Sequence, residues 1–354
     1  MKIAINGLGR IGRAFLKLAI EKPEIEVVAI NDLADLENLA YLLKYDSVYG
    51  RYHRQVSVEA GFLVIEGNSD ASVGIGSDAT VGVKKIKFLQ EKDPTKLPWK
   101  DLGIDVIVES TGVFETFEKA QAHLTAGAKR VVITAPSKDD DLSLKLGATI
   151  LSGLNEESFS KVKITSNGSC TTNAVAPAMA ILSESLGIKK AVLNTTHAYT
   201  ASQKIVDGPD AKDWKRGRAG AINLVPSTTG AAVTVGKVIP ALKDVFDGIS
   251  VRTPVAIVSL ADITFVSNRP TTVEEVNKIM KDAAANPRWQ GIFKVVDEQL
   301  VSTDLIGDLY PSIADLSCTK VIGGDLVKIL VWYDNEMGYS NSLIDHVIKA
   351  GKFL

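Results

Sequence analysis

The sequence is poor in the side chains that most often announce chemistry. Its 354 residues include two cysteines, Cys170 and Cys318, and four histidines. Two cysteines are too few for the disulfide framework of a small secreted domain, so free thiols and a cytoplasmic location are expected. No sign of charge dominates: Lys and Arg total 40 against 42 Asp and Glu, a net charge of −2. That balance excludes a whole-chain basic field, and no nucleic acid partner is expected. No apolar run approaches the ~18 residues of a membrane helix. The best candidate, Ala174 to Leu182, is short and contains Pro177. The opening MKIAING reads as a strand and not as a targeting segment. What is present is ordinary: 45% hydrophobic and 23% charged residues, a globular composition that excludes a disordered chain. At ~150 residues per domain the length predicts two domains.

The first unit is legible. Lys2–Asn6 is an apolar strand, Gly7-Leu8-Gly9-Arg10-Ile11-Gly12 follows, and a helical pattern places Ile11, Phe15, Leu18 and Ala19 on one face before Pro23 stops it. Glu26–Ile30 is a second strand, ending in Asn31-Asp32. Together they make one right-handed βαβ unit. Similar strands are predicted at Ile104–Val108, Arg130–Thr134 and Lys161–Thr165, with a helix near Thr116–Ala126. Near-continuous apolar strands alternating with helices predict a parallel sheet buried on both faces. The small, polar stretch between Gly61 and Leu89 reads as a hairpin or surface insertion. After Cys170 come β-rich runs at Ala191–Thr196, Val251–Phe265 and Leu326–Tyr333, a helix at Thr272–Ala285, and an amphipathic C-terminal helix from Met337 to Gly351. The expected fold is therefore α/β: a Rossmann-type parallel sheet domain, 1–169, and a mixed α+β second domain, 170–336.

The glycine spacing alone is a weak signal, but its setting is specific. It follows a strand, opens a helix and is followed by Asp32, twenty residues after Gly12. Gly7 permits the tight turn, Gly9 lets backbone approach a pyrophosphate, and Gly12 lets the helix pack against the strand. The helix N-terminus offers unpaired N–H groups to phosphates. Asp32 can accept ribose hydroxyls and would repel a 2′-phosphate, which favours NAD over NADP. A bare βα turn without a ligand is the alternative.

The second signal is Ser166-Asn-Gly-Ser-Cys170-Thr-Thr-Asn173, a polar segment between a strand and the helical pattern Ala174–Leu186. A thiolate at a helix N-terminus is stabilised by the dipole and by backbone N–H groups. His197 follows a strand and could reach the same sheet edge, where a Cys–His pair would share a proton. Spacing leaves open whether the two meet. Cys318 has no comparable setting. A nucleotide fold with a helix-capped thiol suggests aldehyde oxidation: the thiolate adds to the carbonyl, the tetrahedral adduct loses hydride, and a thioester remains.

These residues carry a resemblance that runs the length of the chain. With NGLGRIGR (6–13), ESTGVF (109–114), SCTTN (169–173), HAYTASQKIVDGP (197–209), STTGAA (227–232) and WYDNEMGYSN (332–341), the sequence resembles the phosphorylating, NAD-dependent glyceraldehyde-3-phosphate dehydrogenase family. The resemblance implies oxidation of glyceraldehyde 3-phosphate to 1,3-bisphosphoglycerate with NAD and inorganic phosphate, in glycolysis or gluconeogenesis. It implies Cys170 as nucleophile and His197 as its base. Ser169, Thr171, Thr229 and Gly230 match the pocket of the attacking phosphate, and Thr200, Arg218 and Arg252 match residues that hold phosphate groups. Arg10, Ile11, Asp32, Thr111, Thr134, Asn335 and Tyr339 match cofactor contacts, with Asn335 on the nicotinamide carboxamide. No metal is implied, and the C-terminal helix, 337–354, is implied to pack back on the nucleotide domain and complete it, leaving 170–336 as the catalytic domain. The segment from Thr200 to about Asn223 resembles a loop that lines a neighbouring subunit's cofactor site, so a homotetramer is expected.

The sequence departs from the family pattern at Gly168 (usually Ala), at Ala174 (often a second Cys), at Met337 (usually Trp) and in the longer stretch 67–83. Erythrose-4-phosphate dehydrogenase is the rival reading, against which Thr200 and Thr229 keep the glyceraldehyde-3-phosphate pattern. A nucleic-acid- or protein-binding role finds no support in the charge balance, and a thiol hydrolase on a vestigial nucleotide fold is opposed by Asp32 and Asn335.

Overall fold

The N-terminal pattern folds as its glycines and apolar periodicity predict. β1 (Lys2–Asn6) passes through the glycine turn into α1 (Arg10–Ala19) and on to β2 (Glu26–Asn31), and β1 and β2 pair in parallel. The structure is a computed structural model and describes residues 1–68, 82–139, 146–211 and 213–354. α2 (Leu36–Lys44) follows, then the two-stranded ribbon β3 (Tyr45–Asp46) and β4 (Gly50–Arg51). β5 (Arg54–Glu59), β6 (Phe62–Asn68) and β7 (Lys84–Leu89) form a meander. β8 (Val106–Glu109), α3 (Phe117–Thr125), β9 (Arg130–Ile133), β10 (Gly147–Thr149) and β11 (Ile164–Ser166) complete this part.

The first sheet runs β10-β11-β9-β8-β1-β2-β7-β6-β5. Its middle is parallel, and every residue of β8 and β9 is buried, as the unbroken apolar strands require. The edge pairs β5/β6 and β6/β7 are antiparallel. They are the flanks of the segment read as a hairpin or insertion; residues 69–81, most of the 67–83 stretch, lie outside the described residues.

α4 (Cys170–Leu186) begins the second part. It is apolar nearly all round, the pattern of a helix buried on every side, and thirteen of its residues are buried. β12 (Ile188–Ala198), β13 (Val225–Thr228), α5 (Ala231–Val238), β14 (Phe246–Thr253) and β15 (Ser259–Ser267) follow. Then come α6 (Val273–Ala284), β16 (Phe293–Val296), β17 (Ser312–Ile322), β18 (Leu326–Tyr333) and α7 (Met337–Gly351). The second sheet is mixed, in the order β13-β14-β12-β15-β18-β17-β16. One apolar run was read too long: Val251–Phe265 is two strands. The chain breaks at Thr253-Pro254, where proline cannot supply a ladder N–H, and Val258 takes a left-handed φ of 67° before β15 begins.

Strand alternation decides which side chains face α4. On β18, Val327, Ile329, Val331 and Tyr333 are buried; on β15, Ala261, Ile263 and Phe265 are. All join one core with the buried side of α4. The chain packs as two units, Met1–Ala148 with Glu157–Asn167 and Leu343–Leu354, and Thr149–Glu156 with Gly168–Ser342. Within the first, His346 Nε2 lies 2.7 Å from Thr165 Oγ1, and the Arg130 guanidinium donates to the Phe353 carbonyl at 2.9 Å.

Candidate active site

In the first unit, the glycine turn lines a cavity of about 430 Å³ together with Asp32, Leu33, Thr111 and Phe114. Gly7 adopts φ 96°, and a Cβ there would sit 2.7 Å from the Thr111 nitrogen. A Cβ at Gly12 would strike the Gly7 carbonyl at 2.2 Å, so the close helix–turn packing needs a bare α-carbon. At Gly9 a Cβ would meet nothing within 4 Å: the open space is where a ligand can approach the backbone. Gly9 is the N-cap of α1 and supplies no capping side chain, and the first turn holds no acidic residue. The helix end is thus left to an external anion. Asp32 is fixed at the rim, accepting from Leu8 N at 2.6 Å and Ala34 N at 2.9 Å. These features fit a dinucleotide: N–H donors for the pyrophosphate and a carboxylate for the ribose. Ile11 is in the first turn of α1; Arg10 pairs with Asp46 at 3.2 Å; Thr134 N bonds the Glu109 carbonyl at 3.0 Å.

Beneath the turn lies a polar chain that sequence reasoning missed. Glu109 is buried and accepts from Thr111 N (2.9 Å), Thr111 Oγ1 (2.5 Å) and Asn6 Nδ2 (2.6 Å). His123 Nε2 stands 3.0 Å from Glu109, and Trp99 Nε1 donates to His123 Nδ1 at 3.1 Å. With Nδ1 an acceptor, the ring proton is on Nε2 and points at the carboxylate. The chain holds Thr111 against the cavity. Its members lie up to 117 residues apart, and no short-range pattern links Asn6, Trp99 and His123 to it.

In the second unit, Ser169 caps α4, its Oγ accepting from Thr172 N at 3.0 Å. This places Cys170 in the first turn. β12 runs beneath with Leu193, Thr195 and His197 on its buried side, and the alternation ends with His197 under the helix start. The open question of the sequence is answered: Cys170 Sγ lies 3.5 Å from His197 Nε2. Tyr333 supports both, its hydroxyl 2.9 Å from Thr171 Oγ1 and 2.8 Å from Thr195 Oγ1, its ring edge-on to the imidazole at 6.0 Å.

Arg252 joins them through backbone register. β12 and β14 are parallel, and His197 is the direct partner of Arg252. Arg252 Nη1 is 2.5 Å from His197 Nδ1 and 3.2 Å from the Ala198 carbonyl. Burial, then the Arg252 charge, lowers the imidazole pKa to about 3, against support from the Ala198 carbonyl. Burial pushes the Cys170 thiol up, while Arg252, the Thr171 side chain and the backbone N–H groups of Thr171 and Cys170 pull it down. Both shifts favour the neutral forms, thiol and imidazole.

The remaining residues divide. Arg218 does not join the cluster; it pairs with Asp207 at 2.8 Å, 62% exposed. Its neighbour Arg216, which sequence reasoning passed over, does. The single 3-10 turn Trp214–Gly217 points the two guanidinium groups differently, and Arg216 Nη2 donates to Ser227 Oγ at 2.8 Å on the buried side of β13. There its charge works against that of Arg252. Gly230 is the uncapped N-terminus of α5, and Thr229 Oγ1 accepts from Ala231 N at 3.2 Å. Thr200 stands after β12, its hydroxyl 3.0 Å from Ser202 Oγ. Asn335 is buried, and its Oδ1 accepts from Ser259 Oγ, which itself accepts from Ala198 N. Tyr339 Oη donates to the Gly168 carbonyl at 3.0 Å.

The chain matches known proteins over nearly its whole length. Residues 1–117 match the NAD binding domain of glyceraldehyde 3-phosphate dehydrogenase, and residues 169–335 match its C-terminal domain. Glyceraldehyde-3-phosphate dehydrogenase 1 of Trichoderma koningii is 43% identical, over 99% of this chain and 98% of its own. The glyceraldehyde-3-phosphate dehydrogenase of Eremothecium gossypii is 42% identical over 98% of both chains. Glyceraldehyde-3-phosphate dehydrogenase 3 of Saccharomyces cerevisiae is 41% identical over 99% of this chain and 100% of its own.

Proposed function

The chain belongs to the glyceraldehyde 3-phosphate dehydrogenase family and is an NAD-dependent oxidoreductase, and we propose that it converts D-glyceraldehyde 3-phosphate and inorganic phosphate to 1,3-bisphosphoglycerate through a thioester on Cys170. The observation that carries this reading is the helix-capped thiol 3.5 Å from an imidazole, with a guanidinium on the imidazole's other side.

Cys170 Sγ bonds to the aldehyde carbon, and the carbonyl oxygen becomes the hydroxyl of a thiohemiacetal. His197 gives that oxygen a proton and later removes it, which reforms the C=O bond as hydride departs. NAD, when bound, supplies the hydride acceptor. A phosphate oxygen then attacks the acyl carbon, the C–S bond breaks, and the thiolate is restored. Two anions must be held. Arg252, Arg216, the open N-terminus of α5 at Gly230, and the hydroxyls of Ser169, Thr171, Thr200 and Thr229 supply guanidinium forks and neutral donors for them. Asn335 holds the carboxamide of the nicotinamide and Tyr339 packs near it in this reading. The cofactor contacts are Gly7, Gly9, Gly12, Arg10, Ile11, Asp32, Thr111 and Thr134.

A homotetramer in the cytoplasm is part of the proposal. Ile205, Val206, Trp214, Ile222 and Leu224 are largely exposed, as are Val192 and Ile249 on the sheet face opposite His197. Large apolar side chains exposed in such number are covered in an oligomer in this reading. No helix among the described residues is long and apolar enough to cross a membrane.

The test is a steady-state assay of NADH formation from glyceraldehyde 3-phosphate with and without inorganic phosphate. Turnover that needs phosphate or arsenate supports the reading; full turnover without either overturns it.

A further inference from the structure

Val258 stands at φ 67°, a conformation that a β-branched residue rarely adopts. It is buried, and strain of this kind persists where the surrounding structure fixes the backbone, most often beside a working group. The group it delivers is Ser259, the buried first residue of β15, set opposite Tyr333 of β18. Ser259 Oγ accepts from Ala198 N at 3.1 Å and donates to Asn335 Oδ1 at 3.0 Å. The direction of the second bond follows from the first, because a backbone N–H can only donate and a hydroxyl has one proton. With the Asn335 amide turned over, its Nδ2 would be a second donor on the same oxygen, and the hydroxyl proton would lose its acceptor. Asn335 is therefore held with its oxygen inward, and Nδ2 is the atom it can offer a ligand. Its backbone is fixed separately. Asp334 accepts from Glu336 N and Met337 N at 2.9 Å each and from Gly307 N at 2.8 Å, which pins the turn into α7. What remains to be set is the rotation of the amide, and Ser259 sets it.

We propose that Ser259 is a positioning residue for the cofactor: it fixes which way the Asn335 amide faces, and so makes the nicotinamide carboxamide be read through its oxygen. The proposal rests on the reading of Asn335 as the group that holds that carboxamide. An Asn free to turn over offers either a donor or an acceptor, and so accepts the carboxamide by its oxygen or by its NH2 group. An Asn whose oxygen is already taken offers a donor alone, and the carboxamide oxygen is the one partner that suits it. The carboxamide stands on one edge of the nicotinamide ring, so holding it at a single donor also fixes which face of the ring is presented. Ser259 touches no ligand in this scheme; it acts through Asn335. The same hydroxyl ties Asn335 to the backbone just after His197, because Ala198 N is its other partner. One buried serine thereby joins the end of β12, the start of β15 and the turn that follows β18.

The test is calorimetric titration of the full chain, freed of nucleotide, with three probes. They are NAD, ADP-ribose, which lacks the nicotinamide ring, and 3-acetylpyridine adenine dinucleotide, which keeps the ring carbonyl and carries CH3 in place of NH2. Ser259→Ala should weaken NAD about fivefold, the effect of one neutral hydrogen bond, and leave ADP-ribose unchanged. A serine that merely braced the fold would weaken both alike. In an Asn335→Ala background the same change should have no further effect on NAD, since a residue that acts through another adds nothing once that other is gone. Equal losses for NAD and ADP-ribose, additive losses in the double variant, or unaltered NAD affinity in Ser259→Ala each overturn the proposal. If Ser259→Ala does not fold, the wild type decides. Binding of the acetylpyridine analogue within about fivefold of NAD supports recognition through the oxygen, and a greater loss shows that the NH2 group is read and overturns it. Failure of the underlying reading looks different: Asn335→Ala then binds NAD as tightly as the wild type does.

Discussion

Tyr339 and Gly168 are joined by a hydrogen bond from the phenol to the carbonyl oxygen, 3.0 Å long, that ties α7 to the turn two residues before Cys170. Gly168 sits at φ 65°, and a Cβ there would lie 3.3 Å from Leu151 Cδ2 and 3.4 Å from Thr172. Gly168→Ala is expected to lower stability by about 1 kcal/mol, the cost of a left-handed non-glycine residue. Turnover should persist, because the neighbours need to give only slightly. Calorimetry beside an activity assay checks this; a variant as stable as the wild type would show that the turn is not strained.

Cys170→Ser should abolish turnover, since a hydroxyl beside a neutral, weakly basic imidazole is a far poorer nucleophile than a thiol. NAD binding, followed by fluorescence titration, should be unchanged, because the glycine turn belongs to the other packed unit. Residual turnover within tenfold of the wild type would remove Cys170 from the chemistry.

Asp32→Ala removes the rim carboxylate and its two backbone contacts. The ratio of kcat/KM for NAD to that for NADP should fall, with gain on the NADP side as the repulsion disappears and loss on the NAD side as the ribose acceptor goes. A constant ratio would place cofactor choice elsewhere, for example at Leu33, which also lines the cavity.

Arg216 and Arg218 lie two residues apart and should behave oppositely. Arg216→Gln should raise KM for inorganic phosphate by about tenfold, as expected for one lost charge-assisted hydrogen bond. Arg218→Gln should leave that KM within about twofold, because its partner is an exposed carboxylate. The reverse pattern would return Arg218 to the site.

The depressed pKa of His197 also predicts how stability depends on pH. The unfolded ring titrates near 6.5 and the folded ring near 3, so between these values the unfolded chain binds the extra proton. Stability then rises with pH across that window and is lost as pH falls through it, by up to about 1.4 kcal/mol per pH unit. His197→Asn should flatten the slope of urea-unfolding free energy against pH in that range. Identical slopes would mean the buried ring is not the group responsible.

Much of this architecture is legible in the sequence, for local reasons. The glycine turn declares itself because Gly12 answers to the Gly7 carbonyl five residues away and Gly7 to its own left-handed φ, and the apolar strands show their burial directly. α4 is legible from Ser169, which caps it, and from the apolar run behind. What stayed hidden depends on pairing between distant strands. Nothing near His197 announces that Arg252 lies beside it, since the relation is set by the parallel register of β12 and β14. Nothing in the run Lys215-Arg216-Gly217-Arg218 says which cation faces inward, because one short turn decides it. The break between β14 and β15 was signalled by Pro254, but the flanking β-branched residues masked it.

That register makes the backbone ladder a ruler for the spacing between imidazole and guanidinium. Successive residues of β14 point to opposite faces, so a one-residue insertion anywhere between Phe246 and Arg252 would carry the guanidinium through the sheet to its far side. The site should therefore tolerate many substitutions along β14 and almost no change in its length. Variation in this region is free in letter and fixed in count.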